Sequence, residues 1–282
     1  VMLGMALWLM GVGCSGPNPE TLIDELRVVA MVAEPPVVLP GEPATVEIFV
    51  ADPEDKGAGV FAWTCTNFGD GCLEAAGGAQ SVATREVVDG RVTLPLAPTP
   101  ALAPIVLEDP QSPIDATAVW ALACADGADC HLVDGHPASK DRGEKPWGDD
   151  LACQLEDPIE WMSSLSMTGT SLAYRILSVS GQLPQDRHVN PTLTLETELP
   201  LEWKPEADFE LTFSVDGQLN DEARIFNYIT GGGFTMPDSL VSAGEIVLKG
   251  VAPEDSGSVE LWVVLNDGLG GVAVWTGEAE VD

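Results

Sequence analysis

Two antiparallel β-sandwiches in tandem are what this sequence predicts, on three observations. Apolar and polar residues alternate at period two in short runs, those runs are bounded by Pro, Gly and Asp, and helical periodicity is almost missing. Strand-rich chains of this kind close into sandwiches, whereas α/β architectures would need helical segments between the strands. The length of 282 residues suits two domains of ordinary size, and 45% hydrophobic residues suffice for two packed cores.

The elements follow in order. Residues 1–12 form an apolar run that ends in Gly13-Cys14 and gives way to Ser-Gly-Pro-Asn-Pro-Glu. About 13 apolar residues at ~1.5 Å each reach only ~20 Å, short of the ~30 Å hydrocarbon core, so residues 1–13 read as an export signal and not as a membrane span. Cys14 is then the lipid attachment point, and residues 14–23 are a spacer. The first sandwich covers residues 24–180. It opens with alternation over 26–32, which Glu34-Pro35-Pro36 interrupts as on an edge strand. A Pro-Gly turn at 39–43 precedes a half-buried strand in which Val46, Ile48 and Val50 point one way and Glu47 the other. Further strands are expected at 60–66, 91–96, 116–124 and 171–180. Residues 125–170 form a long acidic, cysteine-containing insertion, with a short helix capped by Asp157, Pro158 and Glu160. Residues 181–191 are a linker. The second sandwich, residues 192–282, carries strands near 209–215, 224–230, 245–249, 259–265 and 272–276.

Charge narrows the functional classes. Forty-five acidic residues against 12 basic ones leave −33, which repels phosphates and excludes nucleic acid as a partner. An anionic membrane surface would likewise repel the folded part. Solubility in an ionic external medium accounts for the acidity, and calcium binding is the competing use. The calcium candidates are Asp52 and Asp55 on one turn and Asn266 and Asp267 on another, although Asp and Asn also favour turns for local hydrogen-bonding reasons. No other cofactor is expected.

With Cys14 committed to lipid, Cys65, Cys72, Cys124, Cys130 and Cys153 remain as disulfide candidates in an oxidising compartment. Cys65 pairs with Cys72 across a turn, or with Cys124 on a neighbouring strand; spacing does not decide. A zinc site from Cys130, His131, His136 and Cys153 lacks the usual ligand spacing. No catalytic motif occurs: His131, His136 and His188 are the only imidazoles, and there is no Gly-x-Ser-x-Gly, His-Glu-x-x-His or phosphate-cradling loop. Gly231-Gly232-Gly233 reads as a loop or bulge. Trp147, Trp161, Trp203 and Tyr228 read as core aromatics, with a sugar-stacking face as the rival.

Two resemblances complete the reading. Gly13-Cys14 after the apolar run resembles the lipobox of bacterial lipoproteins, and Ser15 after the cysteine is similar to the outer-membrane class of that family. Gly11 stands where the family usually has Leu, and no Lys or Arg precedes Cys14, as in a chain that lacks its basic leader. The stretch 39–55 with Phe61-Ala62-Trp63, and the hairpin 264–272, resemble bacterial Ig-like and PKD-like domains. Together they imply a non-enzymatic protein of the bacterial cell envelope, an outer-membrane lipoprotein either periplasmic or surface-exposed. Its membrane partner is reached through the lipid, and its protein or glycan ligand is unspecified. The alternatives are a calcium-stabilised carbohydrate-binding or accessory module of a surface complex and, third, a secreted hydrolase.

Overall fold

The computed structural model describes residues 19–38, 42–55, 57–66, 80–96, 116–125, 130–133, 136–139, 170–179, 188–241 and 244–282. The protein is all-β apart from one 3-10 turn at Pro19–Thr21.

The first sandwich faces a three-stranded sheet, β1 (Arg27–Glu34), β2 (Ala44–Ala51) and β5 (Arg91–Leu96), with a four-stranded one. The latter has the order β4 (Gln80–Glu86), β3 (Ala58–Thr66), β6 (Ala116–Ala125), β9 (Thr170–Val179). A separate hairpin joins β7 (Cys130–Val133) to β8 (His136–Ser139). Strand β5 shows the expected alternation, with Val92, Leu94 and Leu96 buried and Arg91, Thr93 and Pro95 exposed. Its apolar side meets Val46, Ile48 and Val50 from β2 and Val60, Ala62, Val119 and Ala121 from the facing sheet in one core. As the Glu-Pro-Pro stop indicates, β1 lies at a sheet edge.

The second sandwich has one sheet in the order β10 (Thr192–Leu195), β12 (Asp208–Asp216), β16 (Gly244–Val251), β14 (Gly233–Phe234). The other runs β11 (Leu201–Trp203), β18 (Val272–Val281), β17 (Gly257–Asn266), β13 (Arg224–Ile229), β15 (Asp238–Leu240). All ladders of this sandwich are antiparallel except β11 against β18. A four-stranded sheet packed on one built around the last, penultimate and third long strands is the Ig-like arrangement. Alternation in β12 sends Phe209, Leu211 and Phe213 inward, where Trp203 stacks on Phe209 with ring centroids 4.0 Å apart. Between β13 and β15 the chain crosses to the other sheet as β14 and returns. Gly231-Gly232-Gly233 makes that crossing: Gly232 has φ +76°, and a Cβ there would lie 2.3 Å from the Val251 carbonyl oxygen.

The two sandwiches lie side by side, so that four sheets stack. The three-stranded sheet of the first covers the outer face of the five-stranded sheet of the second. Ala30 and Phe49 meet Val264 and Val272, while Ile23 and Ala51 meet Trp262. The strand expected to be half-buried is therefore buried on both faces from Ile48 to Ala51, and β17 is buried on both faces from Leu261 to Leu265. In each case an unbroken apolar run marks the second buried face.

Three further expectations meet the structure. Residues 20–23, read as the end of a spacer, pack on the second sandwich: Ile23 N–H donates to the Ile229 carbonyl at 2.8 Å, and Thr21 Oγ1 accepts from Phe234 N–H at 3.1 Å. The strands bearing Cys65 and Cys124 are neighbours as expected, with Trp63 opposite Trp120, yet Cys65 stands opposite Ala118 and Cys124 opposite Gly59. Six residue steps separate the two cysteines along the ladder, roughly 20 Å, well beyond the ~7 Å limit for a disulfide, so the Cys65–Cys124 pairing is excluded. Cys72, Cys153, Trp147, Trp161 and the helix expected near 157–165 lie outside the described residues.

Candidate functional site

The junction between the sandwiches gathers the chemically distinctive side chains, at its two ends. One end holds the β17–β18 hairpin, the linker residues 188–191 and the turn before β13. Asn266-Asp267-Gly268 favours a turn because short polar side chains bond their own backbone. Asn266 Oδ1 accepts from Gly268 N–H at 2.9 Å, and Asp267 Oδ1 accepts from Leu269 N–H at 2.7 Å and Gly271 N–H at 2.8 Å. Asp267 is fully buried, and its Oδ2 lies 2.5 Å from His188 Nε2. Gly268 is required here, with φ +75° and the Asn220 side chain against the position a Cβ would take.

Asn190 ties this hairpin to the first sandwich. Its Nδ2 donates to the Ala33 carbonyl at 2.8 Å and to Glu34 Oε2 at 3.0 Å, while its Oδ1 accepts from Val272 N–H at 2.9 Å. Arg175 on β9 donates to the Gly270 carbonyl. Burial lowers the Arg175 pKa to about 10, and the charge of Asp267 works against that fall. Both Asp267 oxygens are thus spent on the joint. The carboxylate singled out as a calcium candidate holds a hairpin, a linker imidazole and the field of an arginine instead.

At the other end of the junction a cleft of about 270 Å³ opens between β2, the β-turn at Asp89-Gly90, β17 and β18. Phe49, Leu261 and Trp262 form its apolar floor, and Asp89, Arg91, Glu260 and Glu278 its polar rim. Arg91 lies over the Phe49 ring at 5.2 Å, contacts Thr276 Oγ1 at 3.4 Å and pairs with Glu47 at 3.7 Å. Glu260 is held above the usual carboxylate range, first by burial and then by repulsion from Glu278, Asp52 and Asp55. Asp52 and Asp55, the other calcium candidates, form a tight turn in which the Asp55 N–H donates to the Asp52 carbonyl at 3.0 Å. Among the described residues no three His, Cys, Asp or Glu side chains are placed to hold a metal ion together.

Of the remaining sequence candidates, Tyr228 lies beneath Arg27 at 5.4 Å in the junction, its hydroxyl pKa raised chiefly by burial. Trp203 is half-buried and packs against the core of the second sandwich. Cys130, His131 and His136 lie on the small β7–β8 hairpin, where Cys130 pairs with Ser139, His131 with Ala138 and His136 with Val133. His188, Asn190 and Arg175 carried no sequence signal as a joint, since each acts on residues about 80 to 160 positions away.

No protein-family model matches the chain, and no curated protein matches it by sequence. Among solved structures, the D00–D0 domain of intimin is 10% identical over 90% of this chain and 100% of that one, with a TM-score of 0.26. The human OSCAR ligand-binding domain is 13% identical, covering 90% and 96%, also at 0.26. A glycosyl hydrolase family 2 member from Bacteroides cellulosilyticus is 9% identical over 86% of this chain and 23% of that one, at 0.22. Scores of this size carry no argument beyond themselves, and the Ig-like assignment rests on strand order.

Proposed function

We propose that this is a non-enzymatic, lipid-anchored protein of the bacterial cell envelope, held at the outer membrane through Cys14. On this reading its two Ig-like sandwiches bind or scaffold a protein or glycan partner. The observation that carries the proposal is the joint. Its buried carboxylate and half-buried imidazole, amide and guanidinium bond one another or backbone groups, which makes the pair of sandwiches a stiff presenting body. The apolar leader and the small-residue–cysteine junction supply the export and anchoring half of the reading.

Metabolic labelling with a palmitate analogue tests the anchor. Label should enter the wild type and be lost in Cys14→Ser, and a mature protein with an unmodified terminus upstream of Cys14 would refute it. Cross-linking from the loops of the second sandwich in intact cells tests the binding half, since absence of any specific adduct refutes a scaffolding role.

A further inference from the structure

Residues 21–23 dock on the second sandwich, entering from one end of it, and this fixes how the body would stand on a membrane. Only five residue steps separate Cys14 from Pro19, where the described structure begins, a reach of at most ~18 Å. From Thr21 the path is bound. Leu22 forms a parallel bridge to Ile229, Ile23 N–H donates to the Ile229 carbonyl, and Phe234 N–H donates to Thr21 Oγ1. Thr21 and Ile23 are buried, at 0% and 1% exposure, so this segment is a strap and adds nothing to the reach of the tether.

Phe234 marks one end of the second sandwich, where β14 pairs with Gly250 and Val251, and Val251 pairs with Asp208 at the start of β12. Ile229 lies nearer mid-height, opposite Leu261 of β17, and the chain runs from there to Gly231, beside Val259 and Pro253. The Glu206 N–H donates to the Pro253 carbonyl, so the turns at 204–207 and 252–256 share that end. The β17–β18 hairpin and the turn at Asp216-Gly217 lie at the opposite end, about 30 Å away along strands of nine and ten residues.

Resting on the lipid-anchor reading above, we infer that the end carrying residues 204–207, 231–234 and 252–256 faces the bilayer at close range. The opposite end, with the β17–β18 hairpin and the turn at 216–218, is then held outward for partners. The membrane-facing end exposes Glu206, Glu254, Asp255 and Asp55, and Glu260 lies on the same side. That much negative charge opposes contact with anionic headgroups, so the tether holds the body near the surface without letting it insert.

The test uses the full lipidated chain in vesicles of phosphatidylethanolamine and phosphatidylglycerol carrying a rhodamine lipid. A donor dye is attached through an azide-bearing residue at position 254 or at position 218, both exposed. Energy transfer from 254 should exceed that from 218 by at least about twofold, given a height difference of about 30 Å. A Gly/Ser insert of about 24 residues between Asn18 and Pro19, about 27 Å end to end, should abolish most of that difference. Equal or inverted transfer in the parent overturns the inference while leaving the anchor intact. Intact mass of the same sample reads the anchor separately: a protein without acyl chains on Cys14 removes both the anchor and the orientation.

Discussion

Replacing Asp267 with Ala should be the most damaging single change at the joint. The substitution leaves the N–H groups of Leu269 and Gly271 and the His188 imidazole without their acceptor, in a site with no exposure of the carboxylate. It also strips Arg175 of the opposite charge nearby. Each orphaned buried donor costs about 1–3 kcal/mol, and because the losses at Leu269, Gly271 and His188 overlap, a total near ~4 kcal/mol is expected. Asp267→Asn keeps one carbonyl oxygen for the two backbone donors, so it should cost about half as much. Urea unfolding of the folded region followed by tryptophan fluorescence measures both, and the Ala variant should melt about 10 °C lower. A combined His188→Ala and Asp267→Asn protein should show a coupling of at least about 0.5 kcal/mol relative to the two single variants. If Asp267→Ala changed stability by less than about 1 kcal/mol, the hairpin would not depend on this carboxylate and the account of the joint would fail.

Three further outcomes follow from other parts of the fold. Phe49→Ala, which empties a buried site between the sandwiches, should cost about 3–5 kcal/mol, and calorimetry should still show one transition; separate melting of two units would contradict the shared interface. Gly232→Ala should cost more than about 2 kcal/mol, because left-handed backbone strain adds to a Cβ placed 2.3 Å from the Val251 carbonyl oxygen; a neutral result in urea unfolding would refute the crossing. Glu260→Gln should stabilise the protein at pH 7. The folded state raises this carboxyl's pKa, so its contribution is fully present below the unfolded value near ~4.3 and is lost as pH rises through the folded value. With solvent screening the gain stays under about 1 kcal/mol, and a Gln variant that is less stable at pH 7 than at pH 4, relative to wild type, would reverse the sign.

The long strands were legible because their periods are long enough to see. Phe209, Leu211 and Phe213 alternate with Glu210 and Thr212, and the structure follows that pattern into the core. Strands β10, β11, β14 and β15 span two to four residues, too few to show any period, and they are held by neighbours that sequence order does not name. The alternation of Val46, Glu47 and Ile48 reads as a half-buried strand, and nothing local to Ile48-Phe49-Val50-Ala51 says that a second face meets Trp262 and Val264, over 200 positions away. Asp267 was legible as a turn residue and illegible as a joint. Its second oxygen answers to His188, 79 positions earlier, and nothing local to an Asn-Asp-Gly turn encodes that partner.

Domains of this architecture are often treated as interchangeable beads, to be cut out and spliced elsewhere. Here the middle of the stack forbids it. A recombinant fragment holding only the C-terminal bead would carry a bare wall of Trp262, Val264 and Val272 and would need a substitute lid to stay in solution. Selection can therefore trade the pair between proteins only as a unit.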